Sequence, residues 1–208
     1  MGDELQLRAK IVGVLNSRAC LDIRFVAAGI SILGYHYGYL CDLVCQHCVG
    51  VSFGVEDPDA LAEYNDRSNT LRFARRDLGF YATHAGRAQI VHECTHAVID
   101  VVRAGKTVRR ADNEAIAWIA QTMFLLLSGQ TVPEGNDFRQ SLAAVARDAI
   151  ARSRDDGPYV VPASATSFIG ETLQGADKLR AKKRGLSVPD VETMSGIPWP
   201  RPEPMQPE

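Results

Sequence analysis

Residues 90–100 read IVHECTHAVID. Ile90, Val91, Cys94, Val98, Val101 and Val102 recur at helical spacing, so this stretch is expected to be a helix with one buried side. Residues four apart on a helix are separated by roughly 40° of rotation and about 6 Å of rise. His92 and His96 can therefore reach one metal ion from adjacent turns. Glu93 falls just outside that pair, where a carboxylate can serve a water molecule as general base. The larger window, 77–104, reads as one long helix or as two with a break near Gly86, and Gly105 is a suitable stop.

Downstream, DNEAIAWIAQTMFLLLS (112–128) is a strongly apolar helix, with Asp112 or Asn113 as its cap and Gly129 at its end. Glu114 lies 18 residues after His96. A turn around GKTVRRAD lets this second helix run back past the first, so that Glu114 supplies a third ligand. Two His and one Glu with a position left open for water form a donor set for catalytic Zn²⁺. Asp112 is the nearest rival for the third place, but a cap is its plainer role. The plain alternative for Glu114 is an acid favoured by the helix dipole. For the two histidines it is local hydrogen bonding.

THAVID after the first motif and NEAI around the Glu resemble thermolysin-like peptidases, in the gluzincin branch of the zincins. There the pattern reads His-Glu-x-Thr-His-Ala-Val-x-Asp, followed by Asn-Glu-Ala-Ile. The resemblance covers residues 92–116. It implies an α+β, zincin-like domain, mainly helical with a small twisted sheet. One helix would carry His92, Glu93 and His96, and the next would carry Glu114. It implies Zn²⁺ as cofactor, peptide hydrolysis as activity, and a peptide or protein as substrate. Asp100 and Asn113 would support the site without binding metal. The strand NTLRF (69–73) would be the sheet edge beside the cleft, where an extended peptide adds by main-chain hydrogen bonds.

The chain also departs from that family. Trp118 stands where the family has an Asp that orients the first His, so the surroundings of His92 must differ. The family uses a later His on the tetrahedral intermediate, and no His follows His96. Tyr159, in a GPYVV stretch, is the one downstream phenol and is the candidate oxyanion donor; the plainer alternative is a Tyr that begins a strand before Val160 and Val161 or packs on the core. Its upstream rivals are Tyr81, His84, Arg109 and Arg110. Retention of Glu93 favours an enzyme. The missing His favours a zinc-binding domain of restricted activity, acting as a regulatory or partner-binding module or as an exported bacterial effector.

The remaining sequence frames this pair of helices. The 208 residues are 46% hydrophobic and carry a formal charge of −2, which suits one globular domain and argues against nucleic-acid binding. The domain is expected over 1–186. Pro189, Pro198, Pro200, Pro202, Pro204 and Pro207 mark 187–208 as an extended tail. Expected elements are a helix over 3–18, a strand over 21–32, a helix or turn over 35–48 and a short helix over DPDALAEYN (57–65). After the NTLRFAR strand and the two central helices come helices over 137–153 and 165–184. The basic run Lys178–Arg184 reads as a solvated face. Cys41, Cys45 and Cys48 have cluster-like spacing but fall at i, i+4 and i+7, one apolar stripe of core cysteines; Cys94 also reads as core. Gly residues and Asp42 interrupt the apolar segment 25–55, so no membrane span is expected. The charged N-terminus lacks a secretory h-region. That suggests a cytoplasmic protein, or one exported by a specialised system, with a peptide substrate or a specific protein partner or inhibitor.

Overall fold

The computed structural model of the chain describes residues 2–132, 135–153, 157–185 and 187–198. Helix α1 (Asp3–Leu15) buries Leu7, Ile11, Val14 and Leu15 and sets Asp3 and Glu4 against its dipole. After a short α2 (Arg18–Leu21), strands β1 (Arg24–Ala27) and β2 (Ile30–Leu33) form a hairpin. The single strand expected over 21–32 is thus two. Ala28 and Gly29 both adopt positive φ, 49° and 70°, the backbone that a two-residue hairpin turn requires.

Helix α3 (Gly34–Cys45) follows, which decides the helix-or-turn reading of 35–48 for helix over most of its length, and ends before Cys48. The three cysteines therefore do not share one buried stripe. Cys41 is buried, Cys45 is exposed at the last helical residue, and Cys48 lies beyond it, half-buried. Cys94 is buried, as expected.

Strands β3 (Gly50–Phe53), β4 (Ala62–Asn65) and β5 (Thr70–Phe73) form a second sheet, in the order β3-β5-β4. This corrects two expectations. Residues 57–65 do not form a helix: Asp57 closes one turn by accepting the Asp59 N–H, and the chain then extends into β4. Four cross-strand pairs, from Ala62–Phe73 to Asn65–Thr70, outweigh what a short helix offers there. Strand β5 is consequently interior, and β4 is the edge.

A 3₁₀ turn (Phe80–Ala82) leads into α4 (His84–Val102). The break falls at Thr83, which caps α4 by accepting the Gly86 N–H at 3.1 Å. Gly86 itself is helical, packed so closely that a Cβ would lie 2.1 Å from the Phe80 carbonyl oxygen. α4 is the central element, touching α1, α3, β4 and α5 (Arg110–Leu127). Its Thr95 hydroxyl donates to Val91 and accepts from buried Tyr37 of α3 at 2.8 Å, which fixes the helix rotation.

A short β6 (Thr107–Arg109) turns the chain into α5. That helix starts at Arg110, ahead of the expected caps, because Asp112 is drawn to the Arg109 guanidinium at 2.7–2.8 Å. Helices α6 (Asp137–Arg152) and α7 (Ala163–Lys183) pack on α5, and β7 (Tyr159–Val160) joins β1 in parallel. Strand β8 (Val191–Thr193) pairs antiparallel with β6. Part of the segment read as an extended tail is therefore docked, and Met194 is buried. Residues 199–208, with the last prolines of that reading, lie outside the described residues.

The architecture is mixed α+β, mainly helical with small sheets. No described helix is long and apolar enough to cross a membrane. α7 approaches the start of α5 at Gly170, where a Cβ would stand 2.2 Å from the Ala111 carbonyl oxygen. Gly170→Ala is expected to force the helices apart and lower stability by about 1–3 kcal/mol. The urea midpoint reads this; an unchanged midpoint would mean that the contact carries no strain.

Candidate metal centre

His92 and His96 project from successive turns of α4 towards the first turns of α5, and their Nε2 atoms lie 3.2 Å apart. Glu114 of α5 closes the group, with Oε2 at 3.7 Å from His92 Nε2 and Oε1 at 4.0 Å from His96 Nε2. All three ligand atoms fall within 4.8 Å of one another. Tetrahedral donors around a small cation such as Zn²⁺ stand about 3.3 Å apart, so the two imidazoles are already at that spacing and the Glu114 carboxylate would close by up to about 1.5 Å to complete the set.

The hydrogen bonds determine which nitrogen of His96 carries its proton. Glu192, on β8, can only accept as a carboxylate, and its Oε2 accepts a hydrogen bond from Asn113 Nδ2 at 2.7 Å. The Asn113 Oδ1 must then face His96 Nδ1, at 2.9 Å, and accept from it. Neutral His96 is therefore protonated on Nδ1 and presents a lone pair at Nε2. Two imidazole nitrogens this close, beside a carboxylate, are well matched to a cation between them. His92 is 7% exposed, and its ring meets Trp118 edge-on at 5.3 Å. Its Nδ1 has no partner at bonding distance, although the Gln121 side chain of α5 is near enough to favour the protonated ring.

Glu93 is 4% exposed and accepts from Gln89 Nε2 at 2.7 Å. Burial, reinforced by the Glu114 charge, pushes its pKa up to about 7 against the opposing effects of His96, Gln89 and the Tyr64 backbone. Burial also raises Glu114, while His96 and Arg110 oppose. Burial lowers His92, helped by the neighbouring His96. Burial alone would lower His96 too, but Glu114, Glu93 and the Asn113 hydrogen bond together raise it. Raised groups hold their protons to higher pH, and a metal must displace those protons. Metal affinity at this site is accordingly expected to fall as pH drops through the raised titrations of His96 and Glu114, with His92 contributing little. Titration with a competing chelator between pH 8 and 5 measures this; a flat profile would contradict it.

The group opens into a cleft of about 920 Å³, bounded by β4, α4, α5, α7 and the segment around β8. Tyr64, Gln89, Trp118, Leu173 and Glu192 are among its lining residues. The expected edge strand is replaced here by β4, which has no second partner strand among the described residues.

The supporting residues divide. Asn113 touches His96, as just described. Asp100 does not touch a ligand: fully buried, it accepts from Tyr64 Oη and the Gly196 N–H, both at 2.9 Å, and so ties β4 and the C-terminal segment to α4. Tyr159 is not in the cleft. Its backbone pairs with Phe25 of β1, and the Arg152 guanidinium lies over its ring. The turn before it feeds a strand of a different sheet, which removes it as an oxyanion donor.

Of its rivals, Tyr81 is buried with its hydroxyl on the Arg75 carbonyl, while His84 and Arg109 do not line the cleft. Arg110 does, with Nη1 on Glu192 at 2.8 Å. Sequence reasoning passed over Gln89, Gln121, Tyr64 and Glu192. Gln89 was within reach of it, since it precedes Glu93 by one helical turn. Comparison with protein-family models, curated proteins and solved structures finds no match to this chain.

Proposed function

We propose that the chain is a zinc-dependent metallopeptidase of the zincin type, with His92, His96 and Glu114 holding Zn²⁺ and Glu93 as general base. The observation that carries this reading is the convergence of both His Nε2 atoms and the Glu114 carboxylate beside Glu93, in a cleft with a strand edge. The resemblance of residues 92–116 to gluzincins supports the same assignment. Zinc bound there would polarise a carbonyl and lower the pKa of a water. Glu93 takes the proton of the attacking water and returns it to the leaving amine, and Gln89 holds the carboxylate in place for both transfers. Asn113 keeps His96 in the tautomer that offers Nε2. An extended peptide pairs with β4 and brings its scissile bond past the two helices.

A second reading has its own support. No His follows His96, Tyr159 lies outside the cleft, and Arg110 is already engaged by Glu192. A zinc-binding module of restricted activity, seating a protein partner or inhibitor in the cleft, would need no oxyanion donor. One experiment separates the readings: zinc content of the purified chain, with hydrolysis of a disordered protein such as casein by wild type and Glu93→Gln. Zinc with Glu93-dependent hydrolysis supports the peptidase. Zinc without hydrolysis supports the module, and no zinc defeats both.

A further inference from the structure

We infer that Glu192 is a positioning residue of the metal centre, fixing the metal-binding tautomer of His96 through Asn113, so that the C-terminal segment completes the site. This inference rests on the zinc reading above. The chain of contacts is continuous. Arg110 Nη1 donates to Glu192 Oε1 at 2.8 Å, Asn113 Nδ2 donates to Glu192 Oε2 at 2.7 Å, and Asn113 Oδ1 accepts from His96 Nδ1 at 2.9 Å. Each oxygen of Glu192 therefore has one donor, and each end of the Asn113 amide has one assigned partner.

An amide is nearly symmetric in shape, so packing alone does not decide which end faces His96. Charge decides it. A carboxylate at the far end accepts from the NH₂ group and leaves the carbonyl for the imidazole. With that carboxylate removed, Asn113 can reverse and present its NH₂ group to Nδ1. His96 would then accept at Nδ1 and carry its proton on Nε2, the nitrogen needed by the metal. Partners of this kind, one step removed from the metal, are typically worth about 10–100-fold in affinity.

Glu192 is also held firmly enough to do this. β8 pairs with β6, the Arg110 N–H donates to the Asp190 carbonyl at 2.9 Å, and the Gly105 N–H donates to Met194 at 2.8 Å. Gly196 binds Asp100 on the metal-bearing helix itself. Lifting this segment would withdraw the carboxylate and loosen His96 in one movement.

The test is Zn²⁺ affinity, by competition with a chromogenic chelator, for the full-length wild type and three variants, with melting temperature measured alongside. Glu192→Ala is expected to bind zinc about 10–100-fold more weakly. Glu192→Gln, whose amide oxygen can still accept from Asn113, is expected to fall between Glu192→Ala and wild type. Ile197→Ala removes a side chain packed on the core from the same segment without touching the relay, and should lower the melting temperature but keep the affinity. In the zinc-loaded wild type, the His96 Nδ1 proton should give a protected imidazole resonance that exchanges faster in Glu192→Ala. Wild-type affinity in Glu192→Ala overturns the relay, as does an equal loss in Ile197→Ala, which would make the segment merely structural. A wild type that binds no zinc defeats the metal reading instead.

Discussion

On the proposed metallopeptidase reading, Glu93→Gln is expected to keep zinc and fold while peptide hydrolysis falls by about a hundred- to ten-thousandfold. The replacement is isosteric, and its amide oxygen can still accept from Gln89, so the local geometry of α4 is preserved. What disappears is the ability to take a proton. Stability should not suffer. Glu93 is 4% exposed, and burial and Glu114 together push its pKa up to about 7, so the ionised group is costly where it stands. A neutral amide removes that cost, and the metal-free variant should melt at or above the wild-type temperature. Zinc by atomic spectroscopy and cleavage of fluorescent casein give the two readouts. An unchanged rate would take Glu93 out of the chemistry. Loss of zinc together with activity would recast it as a support for the ligands.

The parts of this site that were legible in the sequence are those built from local periodicity. His92, Glu93 and His96 lie within two helical turns, and a helix fixes their mutual placement regardless of the rest of the fold. Glu114 was legible from a turn that lets the apolar helix run back past α4 and from the NEAI wording that resembles gluzincins. Helix α6 follows from the same periodic signal as α4, while the stretch of α3 leaves helix and turn open.

The losses came where short segments are decided by distant partners. Residues 62–65 carry no strand signal of their own; they become β4 because Thr70–Phe73 is there to pair with them. The same pairing moved the cleft edge from β5 to β4. Tyr159 is the candidate donor for want of another phenol, but the fold adopts its plainer alternative, the start of a strand, since it opens β7 beside β1. Glu192 had no local mark at all. In a proline-rich stretch it read as tail, and only tertiary contact with Arg110 and Asn113 gives it a role. Trp118, where the gluzincin pattern has an Asp, leaves the first His without that orienting carboxylate. The ring packs edge-on against His92, whose Nδ1 has no hydrogen-bond partner among the described residues.

On the proposed zinc reading, His96→Ala is expected to abolish tight zinc binding and, with it, the thermal protection that zinc would give the wild type. Only the folded chain brings α4, α5 and Glu114 together, so binding energy adds directly to folding energy. At free zinc about a thousandfold above the dissociation constant, that addition is roughly 4 kcal/mol. For a chain of this size each kcal/mol moves the melting temperature by about 2–4 °C, so saturating zinc should raise wild type by roughly 8–16 °C. The variant keeps His92 and Glu114 but loses the lone pair that Asn113 and Glu192 orient. It also leaves the buried Asn113 carbonyl without its donor, which costs about 1–3 kcal/mol in the metal-free state. The two effects are separable, because the second is present without zinc and the first appears only with it. Differential scanning fluorimetry of both proteins, with chelator and with zinc, resolves them. Equal zinc-dependent shifts in the two would place the metal elsewhere and remove His96 from the ligand set.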